Sequence, residues 1–555
     1  MLNAVTAAPW EAERSGTGGQ ATADTARRRL VPGEPGRAGY RPLAVTGGEA
    51  HRVRDDLTRR DLRPGWRRGA RPLLVLAQLS DTHVMDHQSP GRVELLDRFS
   101  DPDSPVREAV GIVATYRAQE LFTHQVLEAM TQSVRELGRG PVTGAPIDFA
   151  VLTGDGTDNC QHNELRSLIT LLDGGPVHPD SGDPGRYEGV SGPAVEDGRY
   201  WHPDSGCEDL PRMRFGFPSA PGVLDAVRQP FRAAGLGMPW YAVHGNHDNL
   251  LQGTVPAGGW LPRAVTGMAK VVTPPGNLEA ASTISRLAEC NIEALLGLAD
   301  GKRIRVTPDP GRQPAAGAAS VAEFFRTTGR PRGHGYSERN LRDGTAHYAF
   351  DHGVVRCIVL DTVNQHGGWE GSLDVVQLNW LIAELRACAL RPVMLFSHHP
   401  LETLVNDRRP AGAPRRILAA EFLDVLLAHP CVIAWVNGHT HAHAVTAVRD
   451  DRAPGGFWQI TTASHIDWPQ QARVIELVAV PGGLAVGCTV IDSAAPARYP
   501  GGDRPVELAA LARELALNDW QVRHLISADG GGGAGTAADR NVILPVEWPR
   551  AVITQ

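Results

Sequence analysis

The sequence predicts an α/β protein, and three observations carry that reading. Short apolar runs of strand length alternate with segments of helical period, five of those runs end in a polar cluster, and no run of about 18 apolar residues interrupts the pattern. Residues 73–80 (LLVLAQLS) read as a buried strand that delivers Asp81, Thr82 and His83 at its C-terminal end. Helical spacing follows over about 106–137. A second strand at 149–152 runs into Gly154 and Asp155, and 161–172 is again helical. The strand at 240–243 ends in Gly245, Asn246, His247 and Asp248. A helix over about 374–388 precedes a strand at 393–396, which ends in Ser397, His398, His399 and Pro400. A helix over about 417–428 precedes a strand at 432–436, which ends in Gly438, His439, Thr440 and His441. Segments 457–462, 474–480 and 484–491 read as further, antiparallel strands before a helix near 505–517 and a glycine-rich stretch at 529–536.

These elements place one domain over 71–495. Residues 1–70, rich in Gly, Pro, Arg and Thr, read as an extended, partly ordered leader, and 496–555 as a C-terminal helix with a Gly-rich tail. Two Gly- and Pro-rich insertions, about 173–239 and 250–346, are either surface excursions or a wall that selects substrate. The net charge of -7 is spread along the 555 residues, which argues against nucleic acid as a partner. Lys270 and Lys302 are the only lysines, so nearly all positive charge is arginine. Seven cysteines without CxxC spacing read as reduced, mostly buried thiols. Arg27, Arg28 and Arg29 lack the apolar stretch of an export signal, and the expectation is a cytoplasmic protein without a membrane segment.

Asp81 and His83, two apart on extended backbone, face one side and can grip one ion. Asp155, after a glycine that permits a tight turn, can give one carboxylate oxygen to each of two cations. Two divalent ions roughly 3.5–4 Å apart polarise a phosphoryl group and lower the pKa of a bound water toward neutrality. Asn246 offers an amide oxygen, while His398, His439 and His441 offer imidazoles, a mixed set that suits Mn, Fe or Zn rather than calcium. Taken singly, each histidine is more often a surface or core residue; jointly the odds reverse. A nucleophile elbow and a P-loop are both absent from the sequence, which disfavours covalent acyl chemistry and P-loop ATP hydrolysis.

The order DxH, GD, GNHD, a strand-end His pair and GHTH resembles the five-part signature of the calcineurin-like metallophosphoesterases, from residue 73 to about 491. It is most similar to the bacterial branch that contains cyclic-nucleotide phosphodiesterases, and the block DTHVMDHQSPGRVELLDR looks like that of a larger, poorly characterised subgroup. The resemblance implies a four-layer αββα sandwich of two mixed sheets flanked by helices. It implies one ion on Asp81, His83, Asp155 and His441, and a second on Asp155, Asn246, His398 and His439, with Mn or Fe expected and Zn the alternative. A hydroxide bridging the two ions is the implied nucleophile. It makes His247 the catalytic histidine beside the phosphate, with Asp248 orienting it. Arg92, His399 and His443 are candidate substrate contacts, with packing the other reading of His399; His443 and His465 are either exposed or near the phosphate, and His334 and Tyr336 lie in a loop that is either plain surface or a substrate wall. The reaction expected is hydrolysis of a phosphodiester in a small, soluble, nucleotide-like substrate. The alternatives are a phosphomonoesterase and a non-catalytic scaffold, the latter disfavoured because every ligand and His247 are present.

Overall fold

A computed structural model describes residues 23–548 except 59–61, 63–65, 67–68, 205–207, 451, 454 and 528–529, so Cys207 lies outside the described residues. The first third of the core comprises β1 (Arg71–Leu79), α1 (Thr123–Leu137), β2 (Phe149–Thr153), α2 (His162–Asp173) and β3 (Trp240–Val243). After the second insertion come β4 (Tyr348–His352), β5 (Val355–Val359), α3 (Val375–Ala387), β6 (Val393–Phe396), α4 (Ala419–Leu427) and β7 (Val432–Asn437). The chain closes with β8 (Ala444–Arg449), β9 (Gly456–Thr461), β10 (Gln471–Val480), β11 (Gly483–Asp492), α5 (Pro505–Leu517) and β12 (Val542–Val546).

These strands form two mixed sheets. In the seven-stranded sheet β1, β2 and β3 run parallel, and β10, β11 and β12 continue from β1 in antiparallel order to a short edge strand, Arg52–Val53. In the six-stranded sheet β5, β6, β7 and β9 are parallel, with β4 and β8 as antiparallel edges. All five polar clusters therefore follow parallel strands, at the carboxyl ends where α/β sheets bind ligands. Every residue of β2, β6 and β7 is buried, because both faces of these strands are covered.

Facing side chains hold the sheets together. Tyr241 of β3 stacks on Phe350 of β4 with centroids 3.8 Å apart, and the Trp458 indole of β9 donates to the Pro545 carbonyl of β12 at 3.1 Å. The buried amide of Gln78 donates across the interface to the Asn437 carbonyl at 2.8 Å and accepts from Thr462 at 2.7 Å. Outside, α1 is tied to β11 by Ser133, which donates to the Asp492 carbonyl, and α2 adds Leu165, Leu168 and Ile169 to the same core. On the opposite face Glu384 of α3 pairs with Arg356 of β5 at 2.7 Å, and Phe422 of α4 packs edge-on against Trp435 of β7. The architecture is the four-layer αββα sandwich.

Other expectations change. The helix expected over 106–137 is broken: Gly111, at φ 68, ends a four-residue helix, and α1 proper starts at Thr123. A glycine in left-handed backbone followed by the β-branched Ile112 and Val113 stops the helix that the apolar spacing suggested. A short piece of the leader and one of the tail join the sheet, since Arg52–Val53 pairs with β12, and β12 with β11. Both insertions also contribute buried residues. The first buries Tyr200, Trp201 and Phe217 in a second core with α1 and α5. The second buries Lys270, which donates to Glu94 at 2.6 Å and to the Ser89 carbonyl at 2.9 Å on the loop after β1. His334 stacks on Trp240 at 3.6 Å, and Tyr336 is buried beside it, so both are core residues rather than a substrate wall.

Trp458→Phe removes an inter-sheet hydrogen bond and leaves a buried carbonyl unpaired. The expected loss from that orphaned group is about 1–3 kcal/mol of unfolding free energy, read as a lower denaturant midpoint; an unchanged midpoint contradicts this view of the sheet interface.

Candidate metal centre

Backbone hydrogen bonds join the loop after β1 to the loop after β2 and the loop after β6 to the loop after β7, and a bond to the Asp81 carboxylate ties the two pairs together. Asp81 N–H donates to the Gly154 carbonyl at 3.1 Å, His83 N–H to that of Asp155 at 3.0 Å, and Gly438 N–H to that of His398 at 3.0 Å. His439 N–H donates to the Asp81 carboxylate at 3.1 Å. The loops turn so sharply that Asp81, His83, Asp155, His439 and His441 all adopt positive φ, between 43 and 69°. Left-handed backbone at such residues costs of order 1–3 kcal/mol each and persists only where surroundings impose it. Glycine is required at two neighbouring points: a Cβ on Gly154 would lie 2.5 Å from the His398 ring, and one on Gly245 would lie 2.1 Å from the Asp155 carboxylate.

Seven predicted ligand side chains converge as a result. His398 Nε2 lies 3.0 Å from Asn246 Oδ1, 3.1 Å from Asp155 Oδ2 and 3.2 Å from His439 Nδ1. His441 Nε2 lies 3.2 Å from His83 Nε2 and 3.4 Å from Asp81 Oδ1. Asp155 Oδ2 is also 4.0 Å from His83 Nε2, so a single carboxylate oxygen faces both groups. Asp155 Oδ1 accepts the His247 backbone N–H at 2.8 Å, which fixes the carboxylate's orientation.

Partners on the far ring nitrogens set the histidine tautomers. His83 Nδ1 meets Asp158 Oδ1 at 3.1 Å, His441 Nδ1 meets Asp467 Oδ2 at 2.6 Å, and His398 Nδ1 meets the Thr153 carbonyl at 2.9 Å. Each contact holds a proton on Nδ1 and leaves the Nε2 lone pair for a cation. The Asn246 amide donates to the Gly253 carbonyl at 3.0 Å, which turns its oxygen toward His398. Nitrogen and oxygen donors in this arrangement fit two transition-metal ions.

Burial disfavours a charged ring at His398, but Asp155 and Asp81 outweigh it and push the ring up to about 9. Burial is likewise outweighed at His441, where bonds to Asp467 and Asp81 push it up to about 10. Asp155 is buried, yet the fields of His398, His247 and His83 hold its carboxyl well below the usual range.

Comparisons with known proteins add little to this geometry. No protein-family model matches the chain, and no curated protein does. Among solved structures, a dimetal phosphatase from Danio rerio is similar to 76% of this chain over 96% of its own, at 14% identity and a TM-score of 0.32. Likeness that loose carries no argument, and the assignment rests on the side chains.

The remaining predicted residues are placed as follows. His247 lies beside the donors, its ring edge-on to His83 with centroids 4.6 Å apart and its Nδ1 2.6 Å from the Asp158 carbonyl. Asp248 does not touch that ring. Its carboxylate accepts from Gly245 N–H and Thr157 N–H, both at 2.9 Å, and clamps the loop after β3 to the loop after β2. Arg92 is buried among Asp158, Glu120 and Glu94, and these ion pairs commit its guanidinium. His399 is fully buried with both ring nitrogens engaged, by Thr362 at 2.8 Å and the Trp369 carbonyl at 3.0 Å, so it anchors Trp369 rather than substrate. His443 is buried against Gln471 and Arg473, which takes it away from the donors, and His465 is buried with Nδ1 at 2.8 Å from the Ser80 carbonyl. Sequence reasoning missed Asp467, 26 residues beyond His441, and Arg117, which pairs with Asp467 at 2.6 Å. Neither belongs to a strand-end motif, so no local signal marks them.

In chelator-stripped protein the raised rings of His398 and His441 carry protons at neutral pH, and a metal must displace them. Because both pKa values are raised, the competition persists until pH passes about 9–10. Calorimetric titration with Mn at pH 6, 7 and 8 is expected to show proton release and affinity that rises with pH by about tenfold per unit for each proton displaced. An affinity independent of pH contradicts this assignment.

Proposed function

We propose that the protein is a metal-dependent phosphoester hydrolase with a preference for phosphodiesters, using Mn or Fe. The observation that carries this reading is Asp155, whose Oδ2 faces His398 at 3.1 Å and His83 at 4.0 Å, joining the two donor groups. Asp81, His83, Asp155 and His441 would hold one ion, and Asp155, Asn246, His398 and His439 the other. When bound, such a pair polarises a phosphoryl oxygen and lowers the pKa of a coordinated water.

The chain's own residues supply the rest. Asp158 holds the His247 ring through its backbone carbonyl at Nδ1, which leaves Nε2 as the nitrogen that meets the leaving group's oxygen. Burial lowers the His247 pKa while the charges of Asp155 and Asp158 oppose it, so as a general acid the ring would hold its proton with the help of the negative charge of a bound phosphate. A preference for diesters is supported by charge. The two arginines nearest the donors are committed, Arg92 to Asp158, Glu120 and Glu94 and Arg117 to Asp467, so neither is free to neutralise the second charge of a monoester.

The test is hydrolysis of bis-p-nitrophenyl phosphate and p-nitrophenyl phosphate by chelator-stripped protein before and after Mn or Fe is restored. Metal-dependent turnover with the diester faster is expected. Inactivity toward both favours a non-catalytic role for the fold. His247→Ala is expected to lower turnover by roughly 10²–10⁴ with metal content intact; unchanged turnover removes histidine from the reaction.

A further inference from the structure

Resting on that hydrolase reading, we infer that the substrate's phosphoester carries an apolar alkyl or aryl group, bound in a cavity beside the donors. The cavity has a volume of about 370 Å³ and is floored at one end by His83, His247 and His441. Much of its remaining wall is apolar and comes from separate stretches of chain: Ile112 and Val113, Val255, Ile284 and Leu287, and Trp369. Val255, Ile284 and Leu287 lie in the second insertion, which therefore contributes to the substrate wall. An engineered cavity of about 150 Å³ lined by such side chains holds benzene, so the space accepts a group larger than one ring.

Most polar side chains of the wall face other protein groups: Arg92 and Arg117 are ion-paired, Gln252 donates to Asp158 at 3.0 Å, and Thr254 donates to the Gln252 carbonyl at 3.2 Å. The buried Thr115 hydroxyl is the exception, a single polar group without a protein partner among the described residues. A ribose or base would find few partners there and would lose its own hydrogen bonds to water. Ile112 and Trp369 are 57% and 44% exposed, large apolar side chains kept in contact with water at the mouth of a cavity. Apolar lining with a few polar groups gathered at one end is how small-molecule sites combine affinity with orientation. This argues against the nucleotide-like substrate that the sequence suggested.

The test uses methyl, butyl and octyl p-nitrophenyl phosphodiesters, which share a leaving group, with the p-nitrophenyl ester of thymidine 5′-phosphate as the nucleoside comparator. In metal-restored protein kcat/KM is expected to rise at least about tenfold from methyl to butyl, below the limit of about fourfold per fully buried methylene. The nucleoside ester should fall below butyl. Ile112→Gln and Trp369→Ala, checked for native circular dichroism, should each cut the butyl-to-methyl ratio about fivefold or more. Calorimetric binding of butylphosphonate against methylphosphonate reads the cavity independently of turnover, and about tenfold tighter butyl binding is expected. Equal phosphonate affinities, a flat ester series, or a nucleoside ester faster than butyl overturns the inference. Tight butyl binding with no ester turned over upholds the cavity and instead defeats the hydrolase reading.

Discussion

The structure depends on the Asp155 carboxylate being held still between two histidine-rich groups. One oxygen is fixed by a backbone N–H of the loop after β3, and this directs the other to the point where the donors from both sheets meet. A buried carboxylate among imidazoles is stable only if positive charge stays close, whether from protons on the rings or from metal ions. That requirement explains the strained loops: five ligand-bearing residues hold left-handed backbone because the junction of two sheets fixes where their side chains must arrive.

The scaffold meets the requirement by making the parallel halves of both sheets end at one place. β1, β2 and β3 deliver Asp81, His83, Asp155 and Asn246, while β6 and β7 deliver His398, His439 and His441. Around them a shell of carboxylates and carbonyls sets the tautomers, and its members come from further away: Asp158 from the loop after β2, Asp467 from the loop after β9. The insertions take their place in this order. The first extends the core under α1 and α5, and the second is pinned to the loop after β1 by Lys270 and walls the cavity.

The strands that bear ligands were legible because parallel strands covered on both faces are unbroken apolar runs, and a polar cluster after such a run stands out. β4, β5, β8 and β12 are less distinct: β8, at a sheet edge, buries only Val445, and β12 sits beyond a glycine-rich stretch that reads as a linker. Ligand types were legible from spacing, but neighbours were not. Arg92 and His443 carry the chemistry of substrate contacts, yet ion pairs and hydrogen bonds with residues distant in sequence occupy their polar groups. Asp248 shows the same limit, since adjacency to His247 suggested an orienting partner whereas the fold uses it to join two loops.

The most direct test of the account is the metal content of wild-type and Asp155→Asn protein, measured by elemental analysis after reconstitution with excess Mn and desalting. A shared oxygen predicts about two ions per wild-type chain and loss at both positions in the variant, with folding retained. Two ions retained by Asp155→Asn, or a single ion in the wild type, would contradict the shared ligand on which the functional reading depends.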